Sequence, residues 1–217
     1  MSNPSMLLPS APSAPRQGAE FRPALVAKAE AGPVTFYPVD SMIFAQGDKA
    51  GAVYMVEFGT VRICQVTSDG RRQINSFHFA GDVFGFEAGD ERQCYAESVD
   101  GAGIRVVHTD ASGVPPYRLL QLAVSSFTSA QRHLLRLGRM SAVEKLASFL
   151  LDLLDRQESD NVVALQMQRC DIADYLGLTF ETVSRMLRSL KDDGIIKVLS
   201  IDRVEIVDPA ALAALSD

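Results

Sequence analysis

Between Pro33 and about Val107 the chain is a run of short β-type segments punctuated by glycine. Gly47, Gly51, Gly59, Gly70, Gly81, Gly85 and Gly89 fall at intervals that leave room for strands of about 5–8 residues. Val53 to Val56, Thr60 to Val66 and Gln73 to Phe77 fill three of the gaps. The second alternates apolar and polar positions with period two, as a half-buried strand must. Ser68-Asp69-Gly70 supplies the turn that follows, since Asp bonds its own backbone and Gly tolerates positive φ. Evenly spaced short strands with such turns predict a sandwich, a barrel or a double-sheet jelly roll.

The period changes after Pro115-Pro116. Leu120, Ala123, Phe127, Ala130, Leu134 and Leu137 recur at steps of three and four, a heptad seam on one helix. Helical character continues through Leu146, Phe149, Leu150, Leu153 and Leu154. The seam can pack on its own β domain or pair with the same helix of a second subunit, and its regular heptads favour a two-fold dimer. From Glu158 onward a small α/β unit follows. Cys170 to Leu176 reads as a short helix ended by Gly177, and Thr179 is a good N-cap for a second helix from about Phe180 to Lys191. Asp192-Asp193-Gly194 breaks that helix. Ile195 to Leu199, a Ser200-Ile201-Asp202 turn and Arg203 to Val207 then form a hairpin. Helix, glycine turn, helix and hairpin predict a winged helix-turn-helix.

The expected division is therefore a disordered leader over residues 1–22, rich in Ser, Pro and Ala, and a β jelly roll over 23–114. A dimerisation helix over 115–140 and a winged helix-turn-helix over 141–217 complete it, an α+β fold. Charge narrows the partners. The 217 residues carry 21 Lys and Arg against 27 Asp and Glu, a net charge of -6, so bulk coating of nucleic acid is excluded. Residues 151–217 hold seven basic and 13 acidic side chains, yet most of the basic ones lie at Arg169, on the second helix or on the hairpin. Phosphate contacts depend on such local positions rather than on the domain sum. Cys64, Cys94 and Cys170 have no CxxC spacing, which predicts reduced thiols and a cytoplasmic protein. No apolar run approaches the roughly 20 residues that span a bilayer, so no membrane is expected.

The second helix has two faces. Phe180, Val183, Leu187 and Leu190 are expected to be buried, and Glu181, Ser184, Arg185 and Arg188 to face outward. In a major groove Arg takes guanine O6 and N7, Glu accepts from cytosine N4, and Ser touches either a base edge or the backbone. A plain solvated face with a Glu181–Arg185 pair is the alternative. The glycine turn in front and the hairpin behind favour DNA reading.

The stretch Asp171-Ile172-Ala173-Asp174-Tyr175-Leu176-Gly177-Leu178-Thr179-Phe180-Glu181-Thr182-Val183-Ser184-Arg185 resembles the helix-turn-helix of the Crp/Fnr transcription regulators. It is most similar to the FixK branch, whose recognition helices carry the E-x-x-S-R pattern. Gly81-Asp82-Val83-Phe84-Gly85 sits as in that family's cyclic-nucleotide-type jelly roll, and the resemblance covers about residues 30–210. It implies a homodimer joined by the long helix on double-stranded DNA, at an inverted repeat with TTG…CAA-like half-sites, written here TTGA-N6-TCAA. It places Glu181, Ser184 and Arg185 on base edges and Arg169, Cys170, Thr179, Thr182 and Arg188 along the DNA backbone. It also implies an activator that engages RNA polymerase.

No cofactor is expected. Family members that bind cyclic AMP hold it with Glu, Arg and Ser. Here Arg92 is retained, but Asp82 stands for the Glu and Gln93 for the Ser, and Ala130 and Gln131 stand for two hydroxyl residues. Arg92 is expected to be a structural ion-pair partner of Glu91 or Asp90. Residues 1–63 contain no cysteine for an iron–sulfur cluster. His78, His108 and His133 are scattered, as surface or partly buried imidazoles rather than metal ligands. No nucleophile–base pair or phosphate loop points to an enzyme. Cys170, at a helix start beside Arg169, is the candidate redox switch, because oxidation there would place negative charge near a DNA phosphate. The competing reading is an effector-gated regulator whose jelly roll binds a cyclic nucleotide or another small molecule.

Overall fold

The computed structural model describes residues 32–107 and 116–216. The leader over 1–22, His108 and the boundary at 114–115 lie outside the described residues. Eight short strands build the first half. β1 (Val34–Tyr37), β3 (Val53–Phe58), β6 (Val83–Phe84) and β8 (Ala102–Val107) form one antiparallel sheet in the order β1-β8-β3-β6. β2 (Met42–Phe44), β4 (Val61–Val66), β5 (Arg72–His78) and β7 (Tyr95–Ser98) form the other, in the order β2-β7-β4-β5. Phe44, Val56, Val61, Ile63, Phe84, Ala96, Ala102 and Ile104 fill the space between them, the jelly-roll core. Gly70, at φ 81°, closes the β4–β5 hairpin at the expected turn.

Part of each outer face of this sandwich is covered. Val53, Met55, Val83 and Val107 on the first sheet pack under Leu119 and Leu122 of α1 (Pro116–Arg139). Cys64, Ile74, Phe77 and Val99 join a larger core with α2 (Ala142–Arg156) and the C-terminal unit. The helices are separate because Ser141 opens a capping box, in which its own N–H donates to Glu144 Oε2 at 2.6 Å.

The helical seam is partly open to solvent and partly packed on the protein itself. Leu120, Val124, Phe127 and Leu134 are exposed, with Phe127 at 63% and Leu134 at 66%, and Ala130 is exposed beside them. Ala123 and Leu137 are half-buried, so the six-residue seam is not one open face. Leu137 instead reaches the helix-turn-helix, where its Cδ2 lies 3.3 Å from the position a Cβ on Gly177 would take. Helical geometry gives the reason: at 3.6 residues per turn a 3.5-residue repeat drifts around the axis, and Leu137 has moved toward the protein's own core.

Arg92 is not an ion-pair partner of Glu91 or Asp90. It is 1% exposed, and its guanidinium donates to Gly85 O at 2.7 Å and Ala52 O at 2.5 Å. Its Cζ lies 4.3 Å from the Phe44 ring centroid. Two backbone carbonyls and an aromatic face hold the charge inside the barrel, where solvated carboxylates do not reach.

Candidate nucleic-acid interface

α3 (Arg169–Leu176) ends at Gly177, whose φ of 62° and ψ of 42° form a left-handed cap. A Cβ at that position is strained, which is why glycine ends the helix there. Leu178 and Thr179 follow, and the Thr179 hydroxyl accepts from Thr182 N at 3.2 Å to cap α4 (Phe180–Asp192). Val183, Leu187 and Leu190 anchor α4 in the core. Gly194, at φ 73°, turns the chain into β10 (Ile196–Val198), which pairs with β11 (Arg203–Ile206) as the wing. β9 (Val162–Ala164) adds a third strand beside β11, and Asp208 caps a closing helix α5 (Pro209–Ala214). Neither β9 nor α5 was expected from the sequence pattern, because three apolar residues or six mostly small ones carry no readable period.

With its inner face anchored, α4 presents Glu181, Arg185 and Arg188 to solvent. Its own amide and the Thr179 hydroxyl hold the Glu181 carboxyl below its usual range, so it is a pure acceptor at neutral pH. Among the described residues Glu181 and Arg185 form no ion pair, so the exposed Arg185 guanidinium is open to another partner, while the Glu181 carboxyl accepts from its own amide and from Thr179. Thr179 is exposed and Thr182 half-buried, with their hydroxyls 3.1 Å apart. Ser184 is half-buried, and its Oγ is shut from solvent without a hydrogen-bond partner. Arg169 is likewise half-buried with Nε unpartnered, and Cys170 is exposed with Sγ 3.6 Å from Gln168 Oε1. On the wing Arg203 is exposed, whereas Lys197 pairs with Glu205 at 3.9 Å.

Phe180 corrects the expected burial. It is 50% exposed. As the first residue of α4 it has no preceding turn to cover it, and it stands about 50° around the helix from the line of Val183, Leu187 and Leu190.

Sequence reasoning missed two residues of α3 that fix its placement. The Asp171 side chain is 3% exposed and lies 3.1 Å from Arg62 and 2.5 Å from Arg72, both on the jelly roll. Tyr175 stacks on His133 of α1, with centroids 4.0 Å apart and planes 9° from parallel. His133 is buried rather than a surface imidazole, neither ring nitrogen has a partner, and burial pushes its pKa down to about 4.

At the cyclic-nucleotide position the polar groups are largely engaged within the chain, while Arg92 Nε is buried without a partner. Arg92 already gives its terminal nitrogens to two carbonyls. Asp82 accepts from Phe79 N at 2.9 Å and pairs with Arg156 at 3.1 Å. Among the described residues no three His, Cys, Asp or Glu side chains are grouped to hold a metal ion. Among them, too, no helix is long and apolar enough to cross a membrane.

Comparison with known proteins agrees with this geometry. Residues 34–100 match the cyclic nucleotide-binding domain family, and residues 144–215 match the Crp-like helix-turn-helix domain family. The chain is 42% identical over 182 residues to the nitrogen fixation regulation protein FixK of Rhizobium meliloti (strain 1021), covering 84% of this chain and 86% of that one. It is 43% identical over 206 residues to the protein of the same name from Azorhizobium caulinodans, covering 89% and 83%. The solved structure of FixK2 from Bradyrhizobium japonicum superposes with a TM-score of 0.80 at 36% identity, covering 86% of this chain and 98% of that one. Two sheets in a jelly roll, a Crp-like reading unit and identity along most of the chain place this protein in the Crp/Fnr family of transcription regulators, in its FixK-like branch.

Proposed function

We propose that the protein is a homodimeric transcription activator that reads a TTGA-N6-TCAA-like inverted repeat on double-stranded DNA without a cyclic nucleotide or an iron–sulfur cluster. The observation that carries this reading is the outward face of α4, where Glu181 and Arg185 are exposed and not paired with each other beside the Thr179 cap. Their chemistry matches a C·G pair, with cytosine N4 donating to Glu181 and guanine O6 and N7 accepting from Arg185. Ser184 lies on the same side of α4 with its Oγ turned inward and unpartnered, so its contact with a base edge requires the hydroxyl to rotate outward on binding. Arg169, Cys170, Thr179, Thr182 and Arg188 surround this face and suit the phosphates. Leu120, Phe127, Ala130 and Leu134 supply the dimer seam, and half-sites about one helical turn apart suit two such units. In this reading residues 23–114 are the jelly roll, 115–140 the dimerisation helix and 141–217 the reading unit, in a cytoplasmic protein whose remaining partner is RNA polymerase.

Two substitutions test the assignment. Arg185→Ala is expected to weaken binding about 10- to 100-fold and to relax the preference at one base pair. Arg188→Ala is expected to weaken all sequences alike and to lower the salt slope by about one. Equal, sequence-independent losses in both variants would refute base reading by Arg185.

Oxidation of Cys170 is a second control supported by its exposure at the start of α3. Sulfenic or sulfinic acid there adds a polar, acidic group beside the DNA backbone. Peroxide is expected to abolish binding by the native protein and to spare Cys170→Ser. Equal loss in both would exclude it.

A further inference from the structure

The structure assigns to Arg62 and Arg72 of the β4–β5 hairpin the role of positioning residues for DNA reading: by gripping Asp171 and Asp174 of α3 they fix the angle at which the protomer presents α4. This rests on the DNA-reading function proposed above.

The grip crosses from the jelly roll to the first helix of the reading unit. Arg62 pairs with Asp40 at 3.1 Å and Glu97 at 2.7 Å within the jelly roll, and with Asp171 at 3.1 Å outside it. Arg72 pairs with Asp171 at 2.5 Å and Asp174 at 2.8 Å. Gln73 Nε2 donates to Asp174 O at 2.7 Å, which adds a backbone contact to the side-chain ones. Alongside, Phe77 of β5 packs on Tyr175 of α3 with centroids 5.2 Å apart. Charged, amide and aromatic contacts thus line the same side of α3, one turn and a tight glycine cap before α4.

A buried carboxylate held by two guanidiniums is directional as well as adhesive. Forked donors define where Asp171 sits, whereas apolar packing alone tolerates sliding. A dimer must engage both half-sites at once, and it gains from the second only if that recognition helix is already at the right angle and spacing. A reading unit locked to its own jelly roll meets this condition with no ligand to order it, because pre-organisation removes an ordering cost from binding.

The test uses the full-length protein with Arg72→Ala and, as a milder change at a partly exposed site, Asp174→Asn. Anisotropy titrations compare a duplex carrying the whole inverted repeat with one carrying a single half-site, at several salt concentrations. For each variant, dimer mass by sedimentation and the urea midpoint report folding. Positioning predicts that the advantage of the full repeat over the half-site falls about tenfold, within the usual range of coupling between sites. Half-site affinity and salt slope stay as in the native protein, since neither residue meets a phosphate. An unchanged advantage in the folded variants overturns the proposal. So does a half-site loss with a salt slope lower by about one, which would make Arg72 a phosphate contact. Failure of the DNA-reading function itself is seen earlier and separately, as a native protein that does not prefer the repeat to scrambled DNA.

Discussion

The Arg92 guanidinium lies 4.3 Å from the centre of the Phe44 ring and is closed from solvent on every side. An arginine that donates to two backbone carbonyls inside the jelly roll is part of the core. Arg92→Ala is expected to lower stability by about 3 kcal/mol, since it leaves Gly85 O and Ala52 O unpaired and opens a cavity. A urea titration measures this. Cyclic AMP or cyclic GMP at millimolar concentration is expected to leave the native Tm unchanged, whereas binding would raise it with ligand concentration.

The apolar stripe of α1 gives the second prediction. Leu120, Val124, Phe127 and Leu134 face solvent while Leu119 and Leu122 face the jelly roll. Replacing Phe127 and Leu134 together by Glu is expected to produce a folded monomer by sedimentation equilibrium, with loss of binding to the inverted repeat. A double variant that remains dimeric would place the dimer contact elsewhere.

Acid sensitivity follows from two imidazoles, the buried His133 and the half-buried His78. Burial pushes both His78 and His133 down to a pKa of about 4, from an unfolded value near 6.5. Between these values the unfolded chain binds more protons than the folded one, so stability is full above pH ~6.5 and falls as the pH drops toward 4. His133→Phe, which keeps the ring stacked on Tyr175, is expected to flatten part of this slope in Tm measured from pH 7 to pH 4.5. An unaltered slope would mean that His133 takes up its proton while folded.

Local features were legible in the sequence where local chemistry determines them. Gly177 and Thr179 act within two helical turns, and they end and start the helices as the pattern predicts. The β4–β5 turn and the wing were legible for the same reason. What escaped notice depends on distant partners. Asp171 reads as an ordinary acidic residue in a first helical turn, and only folding brings Arg72 and Arg62 to it from 99 and 109 residues away. Arg92 reads as an ion-pair partner of Glu91 or Asp90 because its true acceptors are backbone carbonyls, which no sequence pattern marks. Phe180 fits the buried period of α4, yet a helix's first residue has no turn before it to close the pocket.

The central claim is that the ligand-free protein reads its site. Fluorescence anisotropy of the reduced, purified protein, with no nucleotide added, on a TTGA-N6-TCAA duplex and a scrambled control at fixed salt tests it most directly. Binding to the repeat at least about 1,000-fold tighter than to the scrambled duplex is the predicted result. Equal, weak binding to both duplexes that turns specific only when a nucleotide is supplied would contradict it and make the jelly roll a sensor.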